Sequence, residues 1–291
     1  MFGEASGTSR GCVRTTVKYR KIRKTHRKLC GVKQQVDSIT QPQGSTGFGY
    51  DGNEKNNTLI YQKDHMIYLS VTAHPDDEIL GFGASTFMLT SKGHQVYNLI
   101  LSGDVEARRN RPDSEALKAH AQRAQQIVGA EVPIFGLFPN IKFNTIPHLE
   151  LVQFIEKYME ELQPDVVVTH HPYDLNNDHY HTSKACQAAV RLFQRKPLRP
   201  IKALYYMEVP SSTDWAFNIN GQQFRPDTFI EIGELGLAKK IQAMNAYEGV
   251  MRPYPHPRSN DAIRALAVLR GSQAGRNFCE GFQTAMNVIQ P

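Results

Sequence analysis

Six consecutive residues, Ala-His-Pro-Asp-Asp-Glu at positions 73–78, place one histidine and three carboxylates side by side. They follow an apolar run, residues 66–72, which predicts a buried strand. They precede residues 81–89, which predict a helix that opens with small residues. Open α/β sheets place their sites at the carboxyl ends of strands. Clustered acids repel one another and resist burial, so a bound cation is the simplest explanation for this group.

The spacing of His74 and Asp77 fits such a cation. Residues three apart lie on one face of a helical turn, and an imidazole nitrogen with a carboxylate oxygen suits Zn²⁺ at about 2.0–2.2 Å. Asp76 would then face another way, close to the metal but free to accept a proton from its water. Spacing alone does not choose between Asp77 and Glu78 as the ligand. The alternative is a helix N-terminus that carries acids because they favour the helix dipole.

A second polar cluster occupies residues 170–181, directly after an apolar run at 166–169 that predicts a strand of the buried parallel kind. It holds four of the chain's eleven histidines, with two aspartates and two asparagines. In a doubly wound sheet the carboxyl ends of two such strands lie on the same edge, so the two clusters can meet. A lone histidine would more simply be a capping or core residue. Four of them indicate metal ligands with neighbours that orient them.

Apolar strands and amphipathic helices alternate from Met66 onward, which predicts an α/β fold with a mostly parallel sheet. Further strands are expected at 94–101, 133–137, 201–207 and 228–232, and helices at 114–128, 147–162, 182–193, 235–247 and 261–269. No Gly-x-Gly-x-x-Gly motif follows the first strand, so no dinucleotide cofactor is expected. Arg108, Arg109 and Arg111 lie in a polar loop, where they either contact an anionic substrate or are simply solvated.

The net charge of +6 comes from the first part of the chain. Residues 1–65 carry twelve Lys/Arg against five Asp/Glu, whereas residues 66–291 carry 22 against 23. We therefore expect a basic, disordered extension over 1–65 and one domain over 66–291. The extension is a basic arm for nucleic acid or an anionic surface, or a solvated segment without a role, or it precedes a natural start at Met66. The domain shows no charge pattern for nucleic acid.

Cysteine usage and hydropathy indicate where the protein works. The four cysteines are far apart and form no Cys-x-x-Cys pair, which argues against a disulfide scaffold or a thiolate zinc site and favours a reducing compartment. No apolar run approaches the ~18 residues of a membrane span, and the first residues lack the apolar core of a secretory signal. We therefore expect a cytoplasmic protein.

With both clusters in hand, the chain resembles the LmbE-like, PIG-L family of zinc-dependent N-deacetylases over roughly residue 66 to the C-terminus. The resemblance is carried by Ala-His-Pro-Asp-Asp-Glu after the first strand and by Asp-Leu-Asn-Asn-Asp-His at 174–179. Tyr-Pro-His-Pro-Arg-Ser at 254–259, with Ala-Leu-Ala at 265–267 and Arg-Gly at 270–271, resembles the C-terminal region of one bacterial subgroup. It implies a Rossmann-like three-layer sandwich and removal of acetyl from a small-molecule amino sugar of the N-acetylglucosamine type.

The resemblance also implies roles for individual residues. His74, Asp77 and His179 would bind Zn²⁺, or another divalent metal, and Asp76 would be the general base. Many relatives have an earlier histidine in the second motif that stabilises the oxyanion or protonates the leaving amine. Here that position is Asn176, whose amide can donate a hydrogen bond but cannot supply a proton at neutral pH.

Two other histidines are candidates for the missing proton donor. His171 follows the second predicted strand, and His256 lies in the cationic segment Arg-Pro-Tyr-Pro-His-Pro-Arg-Ser at 252–259. The sequence does not choose between them.

Other functions compete with this interpretation. A peptidase or phosphoesterase would be a metalloenzyme of another class, but His-Glu-x-x-His and a second complete ligand set are missing from the sequence. The substrate could also be a non-sugar amide. A third hypothesis is a catalytically inactive, sugar-binding relative, against which the intact candidate ligands and base argue.

Overall fold

A computed structural model describes residues 65–103, 113–217 and 222–289 of the 291-residue chain. Within these residues, seven strands form one sheet: β1 (Ile67–Thr72), β2 (Gln95–Ile100), β3 (Ile134–Phe135), β4 (Val166–His170), β5 (Ala203–Met207), β6 (Thr228–Glu231) and β7 (Cys279–Asn287). Six α-helices connect them: α1 (Asp77–Ser91), α2 (Ser114–Val128), α3 (His148–Leu162), α4 (Asn177–Ala189), α5 (Gly233–Asn245) and α6 (Asn260–Ala274).

The sheet has the strand order β3-β2-β1-β4-β5-β7-β6. The first five strands pair in parallel, and β7 runs antiparallel to both β5 and β6. The chain leaves β1 towards β2 on one side and returns to place β4 on the other side, so the strand order reverses between β1 and β4. Their carboxyl ends form the crevice in which doubly wound sheets hold ligands.

Two apolar cores lie on opposite faces of the sheet, because successive side chains of a strand point to opposite faces. Tyr68 of β1 belongs to one core, and Leu69 and Val71 belong to the other. Helices α1, α2, α5 and α6 cover the first face, and α3 and α4 cover the second. This arrangement confirms the expected α/β three-layer sandwich with a mostly parallel sheet.

Most predicted elements appear close to their expected bounds, and two differ. Helix α4 begins at Asn177 instead of 182, because the Asn176 side chain caps it by accepting from the Asp178 backbone N–H at 2.9 Å. The C-terminal strand β7 was not predicted. It is half-buried and irregular in pattern, and its partners β5 and β6 precede it by long stretches of chain.

Several sequence expectations fall on residues outside the described ranges. These are the extension, nearly all of which lies before residue 65, and the loop that carries Arg108, Arg109 and Arg111. The division at residues 65 and 66 therefore stays a prediction. Among the described helices, none has the length and apolar character needed to cross a bilayer.

Candidate metal centre

The turn between β1 and α1 brings the first cluster into the crevice. Asp76 precedes α1 with φ 104°, a left-handed conformation that is uncommon for a residue with a side chain. Its carbonyl begins the helix by accepting from the Ile79 and Leu80 N–H groups. Asp77 turns back, and its Oδ2 accepts from the His74 backbone N–H at 3.0 Å. The tight turn thus holds His74 and Asp77 together.

The imidazoles of His74 and His179 converge on the Asp77 carboxylate. His74 Nδ1 lies 3.3 Å and His179 Nε2 lies 3.1 Å from Asp77 Oδ2. One potential ligand atom from each of the three residues lies within 4.8 Å of the others. All three are buried, with exposed fractions of 4%, 1% and 1% for His74, Asp77 and His179. Two strand ends, β1 and β4, therefore meet as the strand order requires.

Each imidazole is oriented by a second carboxylate on its other nitrogen. His74 Nε2 lies 3.0 Å from Asp178 Oδ2, and His179 Nδ1 lies 3.1 Å from Asp174 Oδ1. Asp178 also accepts from the backbone N–H of Ile141 at 2.6 Å, which fixes that carboxylate. Metal-binding histidines are commonly held in this way, with the carboxylate fixing the tautomer that leaves one nitrogen free for the ion.

The charges in the cluster favour a cation. Burial acts to lower the pKa of His179, but the carboxylates of Asp77 and Asp174 outweigh it and raise the pKa to about 10. Burial likewise opposes, and hydrogen bonds to Asp178 and Asp77 produce, the raised pKa of His74. Burial acts to raise the pKa of Asp77, but the adjacent imidazoles hold it well below its ordinary value. The cluster stabilises positive charge between its side chains.

The donor atoms fit a divalent ion of the zinc type. Two imidazole nitrogens and one carboxylate oxygen form the three-ligand set of a catalytic zinc site, which keeps a position open. Within the described chain, the buried His179 Nε2 has no hydrogen bond of acceptable geometry. A buried polar atom without a partner is costly, and a metal ion would satisfy it.

His170 lies beside the cluster in a different role. Its ring stacks on that of His179 at 3.8 Å with 11° between the planes. Its Nε2 accepts from the Ala73 backbone N–H at 2.9 Å, so that nitrogen is occupied. Burial and His179 lower the pKa of His170 to about 3, which keeps it neutral. The residue supports the His179 ring and joins the ends of β1 and β4.

Asp76 points away from Asp77, towards the C-terminal part of the chain. Its Oδ2 accepts from Arg258 Nη1 at 2.9 Å. Its backbone N–H donates to Glu78 Oε2 at 3.0 Å. Glu78 in turn accepts from Gln125 Nε2 at 2.9 Å and from the Tyr247 hydroxyl. Burial raises the pKa of Glu78 to about 8, against the lowering effect of the Tyr247 bond. Glu78 thus anchors the turn and lies outside the candidate ligand set.

A cavity of about 620 Å³ opens over these side chains. Its lining includes His74, Asp76, Asp77, Asn176, His179 and His256 among the residues expected from the sequence. His171 is absent from this lining. Its ring contacts Tyr173, Tyr206 and Phe224, and burial lowers its pKa to about 4. Six of the seven expected site residues therefore share one cavity, and His171 packs among aromatic rings instead.

The structure adds cavity residues that sequence reasoning did not assign to the site. They are His120 of α2, Tyr247 and Glu248 after α5, and Arg252 and Arg258 in the loop before α6. His120 is buried, and its Nε2 lies 3.7 Å from Glu248 Oε1. The only sequence indication was the concentration of arginine, histidine and proline at 252–259, which marks a rigid polar segment without naming its target.

Comparison with protein families gives one match within the chain. Residues 69–190 match the model of the PIG-L family, which is described as GlcNAc-PI de-N-acetylase. The matched range contains both polar clusters, which confirms the resemblance there. It ends before the segment 254–259, for which the resemblance stays a prediction. A search of curated protein sequences found no match.

Solved structures share the fold at low sequence identity. The conserved protein TT1542 from Thermus thermophilus is 22% identical, with a TM-score of 0.63 over 78% of this chain and 97% of that one. N,N'-diacetylchitobiose deacetylase from Pyrococcus horikoshii is 17% identical, with a TM-score of 0.62 over 76% and 84%. GalB, a 4-carboxy-2-hydroxymuconate hydratase from Pseudomonas putida, is 20% identical, with a TM-score of 0.63 over 78% and 98%.

Proposed function

Because residues 69–190 form a PIG-L family domain, we propose that this protein is a zinc-dependent hydrolase that removes an N-acetyl group from an amino sugar of the N-acetylglucosamine type. One observation carries the proposal. Two imidazole nitrogens and a carboxylate oxygen meet at the β1–β4 crevice, and a separate carboxylate, Asp76, lines the same cavity. This is the arrangement that hydrolysis by a metal-activated water requires.

The ion would be held by His74 through Nδ1, by Asp77 and by His179 through Nε2. The other ring nitrogens, on Asp178 and Asp174, are already engaged, which keeps the two imidazoles in the tautomers that bind a cation. When bound, a divalent ion of this kind lowers the pKa of a water molecule to about 7 and polarises a carbonyl oxygen.

Asp76 would act as the general base. It lies next to the ligand Asp77 in the chain, yet its carboxylate is directed to Arg258 rather than to the two imidazoles. Its Oδ1 makes no hydrogen bond to any of the described residues, so this oxygen is available to accept a proton from the attacking water. Water would add to the acetamide carbonyl carbon, and the C–N bond would then break to give acetate and a free amine.

The departing amine needs a proton, and His256 is the candidate that lines the cavity. His256 Nδ1 accepts from the Arg258 backbone N–H at 3.0 Å, so the proton of the neutral ring is on Nε2. Asn176 uses its Oδ1 to cap α4, which leaves its NH₂ group as a donor for an oxyanion. His171 would act only indirectly, because it lies outside the cavity lining.

The cavity supports a sugar-sized substrate. Its volume of about 620 Å³ is within the usual range of small-molecule sites, about 300–1,000 Å³. Its walls carry many hydrogen-bonding groups, as hydroxyl-rich ligands need. The P. horikoshii structure of the same fold is a deacetylase of a diacetylated chitobiose. The P. putida structure is a hydratase, so the fold alone does not select the reaction.

The experiment is acetate release from a panel of substrates by the full-length, zinc-loaded protein. The panel contains N-acetylglucosamine and its glycosides, N-acetyl amino acids, an acetylated peptide and a phosphomonoester. We expect acetate only from the amino sugars, with Asp76→Asn as the inactive control. Acetate from N-acetyl amino acids alone would instead indicate a non-sugar amidase. Binding of the sugars without acetate release would indicate an inactive, sugar-binding relative and would reject the proposal.

A further inference from the structure

Arg258 is the cavity residue with the most direct link to Asp76. Its Nη1 donates to Asp76 Oδ2 at 2.9 Å, and its Nε donates to Ser211 Oγ at 2.8 Å. The Arg258 side chain is only 13% exposed. Two fixed contacts on one planar guanidinium set the position of that plane, and with it the position of the carboxylate it holds.

The backbone around Asp76 is already fixed, which leaves the side-chain torsions as the remaining freedom. Its N–H is bonded to Glu78, its carbonyl begins α1, and its φ of 104° is held by that turn. The carboxylate itself has Arg258 as its one side-chain partner among the described residues. Without Arg258, rotation about χ1 and χ2 would be free to take Oδ1 away from the cavity.

Arg258 is itself mounted on rigid structure. The next residue, Ser259, caps α6 by accepting from the Ala262 N–H at 3.1 Å. The Arg258 N–H donates to His256 Nδ1 at 3.0 Å. Its partner Ser211 lies in the loop after β5 with φ 75°, a left-handed conformation. Strained residues of this kind concentrate at functional sites, where the surrounding structure holds them in place.

Stability alone is a poor reason for this ion pair. Taking two charges out of water costs about as much as their attraction returns, so buried ion pairs are weak stabilisers. Burial acts to lower the pKa of Arg258, and the carboxylates of Asp76 and Asp77 raise it overall. The guanidinium is therefore a permanent charge whose geometric effect is to orient Asp76.

We infer that Arg258 is a positioning residue for the proposed deacetylation: it holds the Asp76 carboxylate so that Oδ1 faces the cavity. The inference rests on the proposed function for its kinetic consequence and on the contacts above for its geometry. Arg258 acts through Asp76, without taking part in metal binding.

The kinetic test compares Arg258→Ala and Arg258→Lys in the full-length, zinc-loaded protein, with acetate release as the assay. Misplacing a catalytic group by about 1 Å can cost about 10²-fold, so kcat of Arg258→Ala should fall by that factor with KM and zinc content unchanged. Arg258→Lys keeps the charge but lacks the fork that reaches both Asp76 and Ser211, and should be intermediate. The matched control is Arg264→Ala, which removes an exposed arginine of α6 and should leave kcat unchanged.

A double-mutant cycle separates positioning from direct contact with substrate. If Arg258 acts through Asp76, adding Arg258→Ala to Asp76→Asn should cause almost no further loss, because the group being positioned is already disabled. Additive losses would overturn the inference. So would an Arg258→Ala variant that raises KM at constant kcat, since that result identifies a substrate-binding residue.

Crystal structures of the wild type and Arg258→Ala give a readout that is independent of activity. The Asp76 carboxylate should leave its wild-type rotamer or occupy several, while the ligand side chains stay in place. An unchanged Asp76 rotamer would reject the inference even if acetate release is high. If the wild type releases no acetate from any substrate, the proposed function fails and the rotamer comparison still decides the positioning role. If Arg258→Ala does not fold, Arg258→Lys and Ser211→Ala replace it.

Discussion

Asp76 and Asp77 are neighbours in the chain, but their side chains have different partners. Asp77 Oδ2 faces the two candidate ligand imidazoles, and Asp76 Oδ2 faces Arg258. The left-handed φ of Asp76 produces this divergence, because it turns the chain sharply between the two residues. One carboxylate is therefore built into the candidate metal centre, and the other stands beside it in the cavity wall.

Asp76→Asn should abolish most turnover while leaving the metal in place. The amide keeps the shape of the side chain but cannot accept the proton, and general-base catalysis typically contributes about 10²–10⁴-fold. We expect kcat for acetate release to fall by that factor, with metal content, measured by elemental analysis, equal to that of the wild type.

Asp77→Asn is the matched comparison, and it should lose metal first. Its amide removes the negative charge between His74 and His179, so metal affinity should fall, and activity should return partly at high metal concentration. If Asp76→Asn loses its metal while Asp77→Asn retains it, the two roles are exchanged. Full turnover in Asp76→Asn would transfer the base role to another cavity residue such as His256.

Residue types and spacing indicated His74, Asp77 and His179 because ligand chemistry leaves few alternatives for a histidine and carboxylates at strand ends. Arg258 could not be assigned in this way. It lies 182 residues after its partner Asp76, and nothing local to it specifies which carboxylate it meets. His120 was hidden for the same reason: on α2 it resembles any histidine of an amphipathic helix. Contacts between distant elements come from tertiary packing alone.

Strands β1 and β4 and helices α1 and α4 together form the site. Both strands are almost wholly buried, so their residues are apolar until the last position, and the polar clusters begin where the strands end. This transition is why the sequence located the strand ends well. Strand β7 was missed because its second half is partly exposed and mixes small and polar residues, so neither strand periodicity nor an apolar run marks it.

Helix α6 meets the segment before β7 at Gly271. A Cβ atom there would lie 2.5 Å from the carbonyl oxygen of Asn277 and 2.7 Å from that of Arg276. Both contacts are with backbone, so Gly271→Ala must displace the chain that leads into β7. Overpacking of this kind typically costs about 1–3 kcal/mol.

Urea unfolding of the purified variant measures that cost. The unfolding midpoint of Gly271→Ala should decrease relative to the wild type, whereas Ser272→Ala on the exposed side of α6 should change the free energy of unfolding by at most about 0.5 kcal/mol. A Gly271→Ala protein as stable as the Ser272→Ala control would show that α6 and β7 are not in close contact there.

For the whole molecule, the sheet, its two cores and the cavity are all built from residue 67 onward. We propose that residues 66–291 are the deacetylase domain and that residues 1–65, with their excess of basic residues, are dispensable for catalysis. A chain that begins at Met66 should express in soluble form and release acetate at nearly the rate of the full-length protein. An insoluble or inactive product would show that the extension contributes to folding or to the site.

The overall architecture was predictable because strand and helix periodicities alternate regularly from residue 66 to the sixth helix. Closure of the cavity was not, since it depends on how the loop at 252–258 folds over the strand ends. That loop supplies Arg252, His256 and Arg258 to the cavity wall. The catalytic face is thus a property of the whole domain, although its metal ligands come from two short motifs.

Stepwise addition of Zn²⁺ to the metal-free, full-length protein, with acetate release from an N-acetylglucosamine glycoside recorded at each step, tests the account most directly. The three-ligand centre predicts no release without metal, a linear rise and a plateau at about one equivalent per chain. His179→Ala should show no plateau at one equivalent. Release that is already maximal in the metal-free protein, or no release at any metal content, would contradict the account.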